Sequence, residues 1–128
     1  MLTQDQKEKL YPLTLHPKFD KLLISAMKTW ETCNPTKNDF GITKWNDSEK
    51  ESEWQVHKNG NKCCLTGASI VGQNSKDYPV DEVRSTFDLS ENEVDDLTYG
   101  FDLRGNYSEE SEAFRFGYEV SMIIFGKE

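Results

Sequence analysis

The chain has 128 residues, a formal net charge of −8 and 35% hydrophobic residues. This length fits one domain, residues 1–128, with room for a core that needs no disulfide or metal staple. No apolar run approaches the ~20 residues of a membrane-spanning helix. The acidic balance repels phosphate backbones and argues against direct nucleic-acid binding. Aromatic residues reach 12%, whereas disordered chains are poor in them.

The opening, "TQDQKEKLYPL", predicts a short helix stopped before Pro12. It has no cationic start followed by an apolar block, so a secretory signal is not expected. "HPKFDKLLISAMKTWETC" carries the clearest helical pattern, with Pro17 suited to a first turn. Phe19, Leu22, Leu23, Ala26, Met27 and Trp30 follow the 3–4 spacing of one buried stripe. Asn34-Pro35 ends it. Residues 34–52 are polar and read as a long surface loop, anchored by Phe40, Ile42 and Trp45. Trp45 is the tryptophan expected to be exposed, a natural interface anchor.

Asn59-Gly60 is the favoured pair for a two-residue hairpin turn. It would set Val56 opposite Cys63 and Trp54 opposite Leu65. A helix over about residues 64–72 competes for the same stretch, and both forms can hold in part. In "YPVDEVRSTF", Pro79 opens a helical segment with Val80, Val83 and Phe87 turned inward. "LSENEVDDLTYGF" contains a capping box, Ser90 with Glu93, and a staple between Leu89 and Val94. Val94, Leu97 and Phe101 form its inner stripe. The last helix, "SEESEAFRFGYEVSMIIF", is expected to be capped by Ser108, with Ala113, Phe116, Gly117, Val120 and Ile124 in one buried row. The fold class is therefore mainly α: a bundle of four to five helices with at most one small hairpin near residues 53–65.

Charge is divided between the halves. Residues 1–62 hold ten Lys/Arg and nine Asp/Glu, whereas residues 63–128 hold five and fourteen. Twelve of the acids lie within 77–112, opposed locally by Arg84 and Arg104 alone. Such a face would attract a basic protein and hasten the encounter. Asp88, Glu91, Asp95, Asp96, Glu109, Glu110 and Glu112 are the candidate contact residues.

The three cysteines have no framework spacing, which points to a reducing cytoplasm. Cys63 and Cys64 are adjacent, and neighbouring side chains diverge too far to share a zinc ion, so neither a metal nor a cofactor is expected. Burial as small apolar residues is the simpler role. A small enzyme or ligand-binding domain with a pocket near Cys63, Cys64 and His57 is the alternative. "DLRGNYSEES" fails as a calcium loop, because Tyr107 and Ala113 fall where glycine and glutamate are required.

The order "W…NGNKCCLTGASIVG…LSENEVDDLTYGFD…EAFRFGYEV" resembles small uncharacterised proteins of bacteriophages, over residues 54–120. The resemblance implies an accessory or host-directed role and carries no catalytic residue with it.

Overall fold

The computed structural model describes residues 1–44, 52–57, 60–103 and 111–126. Within them lie six α-helices and five short strands. The protein is mainly α, but richer in both element types than the four to five helices and single hairpin expected from sequence. No helix among the described residues is long and apolar enough to cross a membrane.

Helix α1 (Gln4–Leu10) begins at a Thr3–Gln6 capping box and runs into a 3-10 turn over Tyr11–Leu15. Helix α2 (Asp20–Thr29) starts three residues after Pro17. His16 explains the delay: its Nδ1 accepts from the backbone N–H groups of Lys18 and Phe19, at 3.0 and 3.2 Å. Those two donors would otherwise be orphans at a helix start. The expected α2 stripe is buried at Phe19, Leu22, Leu23, Ala26 and Trp30, with Met27 at the core edge.

Helix α3 (Leu65–Ile70) is buried on all sides. A helix of six residues cannot stabilise itself, so its ends need outside partners. Two hydroxyls of α2 supply them: Ser25 Oγ donates to Ser69 O and Thr29 Oγ1 to Ala68 O, both at 2.7 Å. Gly67 lets a loop lie on this helix, since a Cβ there would stand 2.0 Å from Phe40 O. The close neighbour of Gly67 is thus the Phe40 backbone.

Helices α4 (Pro79–Phe87), α5 (Glu91–Asp102) and α6 (Glu112–Phe125) complete the set. The Ser90–Glu93 capping box of α5 forms as expected. Ser111 rather than Ser108 caps α6: its Oγ accepts from Phe114 N at 3.2 Å. Ser108 itself lies outside the described residues. The α5–α6 contact is the most extensive in the molecule. It depends on reciprocal glycines, because a Cβ on Gly100 would meet Phe114 O at 2.2 Å and one on Gly117 would meet Leu97 O at 2.4 Å.

The hairpin expected across Asn59-Gly60 does not form in that register. Strand β3 (Ser52–Val56) pairs antiparallel with β2 (Ile42–Lys44) on one side and with β5 (Asn74–Ser75) on the other. Strand β4 (Lys62–Cys63) pairs parallel with β1 (Asn34–Pro35). Both edges of β3 are therefore occupied, and Leu65, needed as a strand residue by the hairpin, opens α3 with no exposure. The 34–52 segment expected as loop contributes β1 and β2; of its three anchors, Ile42 is buried and Phe40 packs against the core. Trp45 lies outside the described residues.

Candidate functional site

The described acidic candidates sit on the α4–α5 corner and at the start of α6. Asp88 is exposed at the left-handed C-cap of α4, with φ 53°. Glu91 is exposed in the first turn of α5, where the helix dipole favours a carboxylate. Asp95 lies four residues on, hence on the same helix face, and Asp96 is its neighbour. Burial, then repulsion from Glu91 and Asp96, holds the Asp95 carboxyl above the usual aspartate range. Among the described residues neither Glu91 nor Asp95 has an ion-pair partner.

The other acids are already engaged. Asp96 Oδ2 accepts from Ser111 Oγ at 2.7 Å. Glu112 Oε1 meets His16 Nε2 at 2.7 Å. Lys18 pairs with Glu93, and the charges of Glu112 and Asp88 also act on it. Burial opposes ionisation of Glu93, yet Lys18 and the Ser90 N–H and hydroxyl together hold its carboxyl below the usual range. The described acids of 77–112 therefore do not form one uniform patch. A side toward residues 16–18 is countered by the Lys18 charge and hydrogen-bonded by His16, and among the described residues a side made of Glu91 and Asp95 has no such partner. Local sequence counting cannot see this, since Lys18 and His16 come from the other half of the chain. Glu109 and Glu110 lie outside the described residues.

The cysteines fall into two arrangements. Cys64 is the N-cap of α3; its sulfur accepts from Gly67 N at 3.5 Å and lies 3.2 Å from Thr66 Oγ1. Burial pushes its thiol up to about 11, which leaves almost no thiolate at neutral pH. Cys63 contacts Cys33 instead, with the two sulfurs 3.1 Å apart and both side chains buried. His57 is exposed, and no hydrogen bond among the described residues joins its ring to either sulfur.

A cavity of about 70 Å³ adjoins Cys64, lined also by Asn38, Phe40, Thr98 and Asp102. Asp102 is buried there and accepts from Asn38 N at 2.8 Å. The volume suits about two waters at ~30 Å³ each, well short of the ~300 Å³ usual for a ligand site. Among the described residues no group of three or more His, Cys, Asp or Glu side chains could hold a metal.

A larger, open cleft of about 540 Å³ lies between Ile42–Lys44, Trp54 and Lys76–Tyr78. Lys44 Nζ stands 4.8 Å from the Trp54 ring centre. The buried indole N–H of Trp54 has no hydrogen-bond partner among the described residues. Sequence reasoning missed this cleft because it joins three separate segments, 42–44, 54 and 76–78, through the β2–β3–β5 sheet.

Comparison with protein-family models, curated proteins and solved structures returns no match for this chain.

Proposed function

We propose that the protein is a small binding protein that docks on a basic protein surface through the uncountered acids of α5, Glu91 and Asp95. The observation that carries the reading is the placement of Glu91 and Asp95 four residues apart on α5, where their like charges repel and neither has an ion-pair partner among the described residues. A partner's lysine or arginine would remove that repulsion on binding, so the charge cluster favours the complex over the free protein. Asp88 extends the surface beyond the start of α5, whereas Asp96 and Glu112 serve the fold as well. The bacteriophage resemblance supports an accessory or host-directed role for such a surface, and the charge argues for a basic protein rather than a nucleic acid as its target.

The test is capture of a partner from host lysate at low and high salt, followed by association kinetics with the purified partner. Glu91→Lys combined with Asp95→Lys should slow association at low salt by about tenfold or more. The double variant should also flatten the salt dependence while keeping the helical circular-dichroism signal. Unchanged capture and unchanged salt dependence would refute the electrostatic surface. The alternative, a ligand-binding domain, is favoured at one place: the cleft beside Trp54, whose buried indole N–H has no acceptor among the described residues. The pocket expected near Cys63, Cys64 and His57 has no comparable support.

A further inference from the structure

Cys33 and Cys63 are brought together by backbone geometry. Cys33 directly precedes β1, and Cys63 is the second residue of β4. The parallel ladder sets Pro35 beside Cys63, with Asn34 N donating to Asn61 O at 2.9 Å and Thr36 N to Cys63 O at 3.1 Å. The indole N–H of Trp30 also donates to Cys63 O at 3.1 Å. The Cys63 carbonyl is thus held by two donors while its sulfur faces Cys33 at 3.1 Å. A disulfide requires about 2.05 Å between sulfurs, so an approach of about 1 Å would close the bond. Cys64 does not compete, because its sulfur is occupied by the α3 N-terminus and Thr66.

We propose that Cys33 and Cys63 are an oxidisable dithiol that hydrogen peroxide converts into an intramolecular disulfide, stapling the end of α2 to β4. Cys33 is the sulfur that reacts first. The hydrogen bond between the two sulfurs lowers Cys33 against the opposing effect of its burial, with help from the N-terminal ammonium; the same contact, with burial, raises Cys63. The Cys33 thiolate attacks one peroxide oxygen, the O–O bond breaks, and hydroxide leaves, giving Cys33 sulfenic acid. The Cys63 sulfur then attacks the Cys33 sulfur; the S–S bond forms, the S–O bond breaks, and the departing hydroxide takes the Cys63 proton as water. Two thiols and one peroxide thus give one disulfide and two waters. Both sulfurs are almost fully buried, with exposures of 1% and 0%. Peroxide is little larger than water, and the ladder that carries Cys63 and follows Cys33 has only two residues per strand. Brief opening of so short a ladder admits it, whereas bulkier oxidants are excluded. The closed bond spans residues 33 to 63, a loop that contains β1, β2 and β3.

The experiment treats the reduced, full chain with equimolar hydrogen peroxide, then alkylates it in denaturant and maps the peptides. The expected product has lost two hydrogen masses, keeps one alkylatable thiol out of three, and joins Cys33 to Cys63. Its Tm should rise by about 5–10 °C, and dithiothreitol should reverse both changes. Cys64→Ser should retain the cross-link, whereas Cys33→Ser and Cys63→Ser should lose it. Three remaining thiols, a bond to Cys64, intermolecular dimers, or oxygen addition without cross-linking would each overturn the proposal. Should the Cys33 or Cys63 variants fail to fold, the peptide map of the wild-type chain and of Cys64→Ser decides it alone.

Discussion

Ser111 Oγ donates to Asp96 Oδ2 at 2.7 Å, so the residue that caps α6 also fastens that helix to α5. Asp96 thereby joins two roles, one in the acidic surface and one in the fold. Ser111→Ala removes both the cap and the tie, and should cost about 1–2 kcal/mol in urea unfolding. A double-mutant cycle with Asp96→Ala should return a coupling of roughly 0.5–1 kcal/mol. Strict additivity would mean that the two helices are not tied at this point.

The α5–α6 contact predicts an inversion of ordinary helix propensity. Alanine is favoured over glycine in a helix by about 1 kcal/mol. At Gly100 and Gly117, however, an added methyl meets a backbone carbonyl oxygen at 2.2 and 2.4 Å, and backbone cannot swing aside as a side chain can. Each Gly→Ala change should lower stability by about 1–3 kcal/mol net. A rise in the urea midpoint for either variant would show that the helices separate at no cost.

Thr29 tests how α3 is held. Thr29→Val keeps the shape but leaves the buried Ala68 carbonyl without its donor. Loss of about 1–3 kcal/mol is expected, more than for the same change at an exposed threonine such as Thr43. Hydrogen exchange of the α3 amides should quicken in the variant, and unchanged protection would place the support of α3 elsewhere.

Two carboxyls on α5 predict opposite responses to acid. Glu93 is held below its ordinary range when folded, so its contribution is present above the unfolded value and is lost as pH falls through the folded one. Glu93→Gln keeps an acceptor for the Ser90 N–H but loses the Lys18 pair. It should be less stable than wild type at pH 7 and equal to it once both states are protonated. Asp95 is held above its ordinary range, so the folded state binds its proton more tightly and this site favours folding as pH falls. Asp95→Asn should therefore be neutral or slightly stabilising at pH 7. Unfolding free energies at pH 7 and pH 3 check both signs.

Much of this molecule follows from the order of its residues. The stripe from Phe19 to Trp30, the Ser90–Glu93 box, and the rows Val94–Leu97–Phe101 and Ala113–Ile124 were each readable, because a 3.6-residue period and a cap are local properties of a helix. Burial of Cys63 and Cys64 was readable too, from residue type. What the order of residues could not determine is which distant groups meet. The strand partners of Trp54 and Cys63, the hydroxyls that close α3, the contacts of Glu93 with Lys18 and of Glu112 with His16, and the meeting of Cys33 with Cys63 all join segments far apart in the chain. Short strands have almost no intrinsic preference for one partner over another, so burial of α3 and the helix contacts choose among them. The same holds for charge: composition sets its sum, and only the folded chain decides which carboxylates keep a partner and which are left facing water.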